Sequence, residues 1–64
     1  MKILVKEFRE KAGLSQNKLA HLSGISQPTL WSIENGKTNP KVGTLVALAK
    51  TLKCDISDLV ESKS

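Results

Sequence analysis

The side chains able to do covalent chemistry are few in this 64-residue chain. There is one histidine, His21, and one cysteine, Cys54. No nucleophile stands beside a base, and no glycine-rich loop is shaped to cradle a phosphate. Asp55 and Asp58 lie three apart, a spacing that suits the capping of a helix start better than paired acid and base work. A single cysteine forms no disulfide within the chain and builds no cysteine-based zinc site. Cys54 stands among apolar neighbours and is expected to fill core space. No catalytic residue, metal or cofactor is therefore expected. What remains is hydrogen-bonding chemistry. Gln16, Ser26, Gln27, Thr29, Ser32 and Asn35 supply amides and hydroxyls that both donate and accept, with Lys37 and Lys41 just beyond.

Those residues need elements to aim them, and the stretch from about 16 to 35 reads as two short helices joined by a tight turn. The first runs from about Gln16 to Leu22, with Leu19, Ala20 and Leu22 as its apolar side. Ser15 is its N-cap, and Gly24 suits a stop with positive φ. Ser23-Gly24-Ile25 makes the turn. The second helix runs from about Gln27 to Glu34, with Leu30 and Ile33 inward, Ser26 as N-cap and Pro28 in the first turn, where a missing N–H costs little. Ala20 is small and lets the two helices cross closely. Two helices at roughly a right angle across such a turn form a helix-turn-helix unit.

The flanking segments are also helical in pattern. Residues 3 to 12 carry Leu4, Val5 and Phe8 on one side and Lys6, Glu7, Glu10 and Lys11 on the other. Gly13 ends that helix. Leu45, Leu48, Ala49 and Leu52 fall on one face of a helix over Val42 to Leu52, although Gly43 weakens its first turn. Asp55 caps a short fifth helix carrying Ile56, Leu59 and Val60, with Asp58 at N3. No stretch alternates as a strand does, and residues 61–64 are expected to fray. The expectation is an all-α, compact five-helix single domain spanning 1–64.

Gly13-Leu14-Ser15-Gln16, Leu19-Ala20, Gly24-Ile25-Ser26 and Ile33-Glu34-Asn35-Gly36-Lys37 followed by Asn39-Pro40 together resemble the Cro/repressor-type helix-turn-helix proteins, the XRE family. The resemblance runs from about Val5 to Val60 and implies a lambda-repressor-like DNA-binding domain. This sequence departs from the family near Lys41, which stands where Ser or Asp often caps the fourth helix.

A helix of this kind fits the major groove of B-form DNA, with its N-terminal residues meeting base edges. Here these are Gln27, Pro28 and, one turn on, Ser32. The planar amide of Gln27 matches adenine N6 and N7, Pro28 offers an apolar surface to a thymine methyl, and Ser32 discriminates weakly. The positive end of the first motif helix, at Gln16, suits a phosphate. The resemblance adds that Gln16 braces Gln27. Ser26, Thr29, Asn35, Lys37 and Lys41 are expected to meet phosphates, Asn35 and Lys37 by their match to the family loop. The resemblance also implies an ion pair between Arg9 and Glu34 that locks the recognition helix to the first helix. Trp31 is expected to pack over the start of the first motif helix, the alternative being that it flanks the sugar-phosphate backbone.

Composition sets outer bounds. A 39% hydrophobic content excludes a disordered tail, and a formal charge of +4 is consistent with a polyanionic partner. Nothing marks an export signal or a membrane span, so the chain is read as cytoplasmic. The expected partner is double-stranded DNA, through a two-half-site operator, with no small-molecule ligand. A homodimer on DNA is expected, weak without it. The resemblance nominates Asn39 to Val42 and the region near Val60 as its seam. The leading reading is a small bacterial or phage-type transcriptional regulator, a repressor. The alternative is an antitoxin-like protein-interaction module that also binds DNA.

Overall fold

The computed structural model describes residues 2–61. A strand β1 (Lys2–Ile3) leads into α1 (Val5–Lys11), α2 (Gln16–Ser23), α3 (Gln27–Glu34), α4 (Val42–Leu52), α5 (Ile56–Leu59) and a closing strand β2 (Val60–Glu61). The fold is the expected five-helix arrangement. Local signals set most boundaries. The Ser15 hydroxyl accepts from the Lys18 N–H at 3.0 Å, and the Ser26 hydroxyl accepts from the Thr29 N–H at 3.2 Å. Each satisfies an amide that the first helical turn leaves without a partner. Gly24 adopts φ +72°, the left-handed stop that lets its N–H turn back on α2. At α5 the Asp58 carboxylate accepts from the Asp55 N–H at 3.0 Å, the reach-back half of a capping box. The departure at Lys41 is visible too: α4 starts without a side-chain cap.

The core is aliphatic. Val5, Leu19, Ala20, Leu30, Ile33, Leu48, Ala49 and Leu59 are buried together, and Phe8, Leu14, Ile25, Leu52, Cys54 and Ile56 pack around them. Ala20 is 2% exposed and belongs to this core. Cys54 is only half-buried, at the edge of the core rather than inside it.

Three expectations fail. The first helix begins at Val5, not at residue 3, because Lys2 and Ile3 pair antiparallel with Glu61 and Val60. The Leu4 N–H donates to the Leu59 carbonyl at 2.8 Å and completes the tie between the two ends. A two-residue strand is too short to show an alternating pattern, so no periodicity announces it. Second, α5 ends at Leu59, so Val60 lies not on that helix but with Glu61 in β2, and Glu61 is held there rather than frayed; the expectation for 62–64 lies outside the described residues. Third, Leu22 is not inward but 50% exposed. Ser23 takes the core-facing place one turn after Leu19 and Ala20, and its hydroxyl donates to Thr51 Oγ1 at 3.1 Å.

Candidate nucleic-acid interface

α3 presents two unlike sides. At about 100° per residue, the buried Leu30 and Ile33 define its inner side. Pro28 and Ser32 then lie on the outer side, Pro28 exposed and Ser32 half-buried. Gln27 sits on the flank toward the start of α2. Thr29 is exposed on the other flank.

A hydrogen-bonded chain of side chains fixes this arrangement. The Arg9 Nε–H donates to Glu34 Oε2 at 2.8 Å, and an Nη2–H donates to Glu34 Oε1 at 3.2 Å. The remaining arm, Nη1, donates to the Leu14 carbonyl at 2.9 Å. This two-toothed contact is the geometry in which guanidinium and carboxylate fit best. The pair is largely withdrawn from water, the side chains being 13% and 2% exposed for Arg9 and Glu34. The hydrogen bond that Arg9 donates to Glu34, opposed by burial and aided by the charges of Glu34 and Glu10, holds the guanidinium above its usual range. From Glu34 the chain continues outward. Gln16 Nε2 donates to Glu34 Oε1 at 3.0 Å, and Gln27 Nε2 donates to Gln16 Oε1. The order of donors and acceptors leaves little choice: Glu34 only accepts, so Gln16 must turn its NH2 inward and its oxygen outward to Gln27. The amide orientation of Gln27 is thus set by a carboxylate two links away.

The other nominated residues surround this axis. Ser26, Thr29, Asn35, Lys37 and Lys41 are all exposed. The Ser26 hydroxyl donates to Thr29 Oγ1 at 2.7 Å. Asn35 is engaged in closing α3: its Nδ2 donates to the Trp31 carbonyl at 2.8 Å. The backbone amides of Asn35, Gly36 and Lys37 also turn back onto α3. Those three amides are thus committed, and the exposed Lys37 side chain is a group of this loop that remains to reach an anion. The first intrahelical bond of α2 is Leu19 N–H to the Ser15 carbonyl, so the amides of Gln16 and Asn17 precede the ladder.

Two features escaped sequence reasoning. The link from Gln16 to Glu34 joins residues 18 apart and has no local signature. Trp31, expected to pack over the start of α2 or, alternatively, to flank the sugar-phosphate backbone, is 46% exposed, which departs from the first of these. Its place on α3, between Gln27 and the outer side, is the signal that pointed the other way. His21 is exposed, as its position on the outer side of α2 indicates. Among the described residues no group of three or more His, Cys, Asp or Glu comes together as a metal site. No helix among them is long and apolar enough to cross a membrane.

Comparison with known proteins gives a consistent result. The helix-turn-helix family model matches residues 5–59. An uncharacterised HTH-type transcriptional regulator of Haemophilus influenzae is 44% identical over 52 residues, covering 77% of this chain and 53% of that protein. The HTH-type transcriptional regulator DdrOP3 of Deinococcus deserti is 39% identical over 57 residues, covering 89% of this chain and 44% of that protein. The chain thus spans about half the length of these two relatives. Among solved structures, Bacillus subtilis SinR, the master regulator for biofilm formation, in complex with DNA is similar with a TM-score of 0.84 at 29% identity. The match covers 89% of this chain and 92% of that one.

Proposed function

Because the chain belongs to the helix-turn-helix family, we propose that it binds double-stranded DNA sequence-specifically as a transcriptional regulator, a repressor, with α3 in the major groove. The observation that carries this reading is the chain from Arg9 through Glu34 and Gln16 to Gln27. It holds a planar amide at the start of α3 in one orientation before any ligand arrives. Gln27 has two hydrogens on Nε2. One goes to Gln16, which leaves the other for adenine N7 and Oε1 for adenine N6–H, the two-point contact that identifies that base. Orientation prepared in advance reduces the ordering cost of binding.

Pro28 meets a thymine methyl, and Ser32 hydrogen-bonds a base edge one turn on. The phosphate set is Gln16 with the free amides of α2, Ser26, Thr29, Asn35, Lys37 and Lys41; these fix register and carry little sequence information. One α3 reads only a few base pairs, so two copies bind an inverted repeat with half-site centres about 34–36 Å apart. The seam lies at Asn39 to Val42 and near Val60. Val42, 73% exposed although apolar, supports a contact there.

Selection of bound duplexes from a random pool, at near-physiological salt, tests the reading. The expected result is an enriched inverted repeat with half-sites about ten base pairs apart. Salt-sensitive binding without any enriched sequence would refute sequence-specific recognition.

A further inference from the structure

The indole of Trp31 has no place in the base-reading and phosphate sets, and it is the large aromatic surface of α3. It is 46% exposed, which leaves roughly 100 Å² of ring in water for a side chain of this size. Its position is not arbitrary. Trp31 follows Gln27 by four residues, so the two are neighbours on one helix flank. Long helical side chains lean toward the helix N-terminus and cover the turn before their own Cα. An indole at this position can therefore reach along the turn that carries Gln27 and Pro28. That flank faces the start of α2, because Gln27 and Glu34 both bond Gln16 there. The Trp31 carbonyl is tied to the Asn35 amide and side chain, which holds this last turn of α3 in place.

We propose that Trp31 is a further DNA-contacting residue, which packs its indole on the deoxyribose carbons at the wall of the major groove beside the Gln27 contact and donates its Nε1–H to the adjoining phosphate. This rests on the reading of α3 as the groove helix. The chemistry fits the position. With α3 in the groove and the first amides of α2 at the backbone, the flank between them faces the sugar-phosphate strand. A sugar edge is apolar with an anion next to it, and an indole is apolar with one donor at its rim. The contact is to backbone groups present at every step, so Trp31 adds affinity and holds Gln27 at its base without choosing the base itself. No second aromatic lies near it on α3, so the ring acts singly on a duplex and not within a row that stacks unpaired bases.

Trp31 is the single tryptophan and the chain has no tyrosine, so indole fluorescence reports this side chain alone. The duplex enriched by selection, carrying a dye, gives the affinity by anisotropy. Acrylamide quenching of the same samples gives the exposure of the ring. Saturating the duplex is expected to lower the quenching constant severalfold. Trp31→Ala is expected to weaken binding about tenfold, within the range of one aromatic–nucleotide contact. Trp31→Phe should lose less, and the preferred base at each position should not change. Thermal melting of both variants separates a folding defect from a lost contact. If the duplex binds but the ring stays as open to acrylamide as in the free protein, Trp31 makes no such contact and the proposal fails while groove binding by α3 stands. If the dye reports no duplex binding at all, groove binding by α3 fails and this contact fails with it.

Discussion

Replacing Glu34 with glutamine keeps the size of the side chain and removes its charge. The loss of stability can be worked from the geometry. Two N–H groups of Arg9 reach the carboxylate at 2.8 and 3.2 Å, and the two side chains are 13% and 2% exposed. At an effective dielectric of about 20, opposite charges at this range attract by roughly 4 kcal/mol. Breaking a buried pair from one side typically costs about 3–5 kcal/mol, because the surviving charge stays in place unmatched. Arg9 keeps its bond to the Leu14 carbonyl, and its partial exposure lets water compensate. The expected loss is therefore about 2–3 kcal/mol. A domain of 64 residues has a total stability of roughly 3–10 kcal/mol at the usual value per residue. The variant should fold at low temperature and melt about 10–20 °C lower, at several degrees per kcal/mol for a domain this small. Urea denaturation followed by circular dichroism gives the loss directly. A double-mutant cycle with Arg9→Met isolates the pair, and its coupling should be at least about 1.5 kcal/mol. A coupling below about 0.5 kcal/mol would match an exposed ion pair and refute the idea that this bond locks α3 to α1. The sign with pH is also set on the Arg9 side. Its pKa is raised on folding, so its contribution is complete below the ordinary guanidinium range and is lost only as pH climbs through the folded value. Titrating Arg9 contributes no pH dependence around neutrality.

Four other outcomes follow from the same geometry. Gln27→Ala should cost about 1–3 kcal/mol on the selected duplex and relax preference at one base pair; an equal loss on all duplexes would make Gln27 a positioning residue. Lys37→Ala should weaken specific and random DNA alike and reduce the salt slope by about one unit, measured as affinity against salt concentration. Gly43→Ala should raise stability by about 0.5–1 kcal/mol in chemical denaturation, since a Cβ there meets nothing within 4 Å and alanine is the better helix former. Burial first, then Asp58 and Asp55, push the Cys54 thiol above its ordinary value of 9.0. The folded state therefore holds that proton more tightly than the unfolded one: this contribution is complete below pH 9.0 and declines as pH rises through the folded value. Cys54 should accordingly react with iodoacetamide at pH 8 more slowly than an unfolded peptide carrying the same residues.

The sequence by itself determined α2, α3 and their turn, because the signals there are local. Ser15 and Ser26 satisfy amides three residues ahead, and Gly24 takes a backbone angle that a side chain would resist. Such preferences act within one or two turns of chain and can be read without knowing what lies across the core. The inner and outer sides of α3 were legible for the same reason, since helical periodicity alone separates Leu30 and Ile33 from Pro28 and Ser32. What tertiary structure decided was which residue covers which. Ser23, on the face of Leu19 and Ala20, meets Thr51 on α4, a partner 28 residues away that no local signal names. The β1–β2 pairing depends on bringing Lys2–Ile3 against Val60–Glu61 and is too short to leave a pattern. The family resemblance already pairs Glu34 with Arg9, but only the packed fold brings Gln16 onto the same carboxylate and so makes Glu34 the anchor of Gln27. A side chain's type fixes how many hydrogen bonds it can make. Only the packed fold fixes which groups are near enough to make them, and here that proximity gives the amide at the start of α3 its direction.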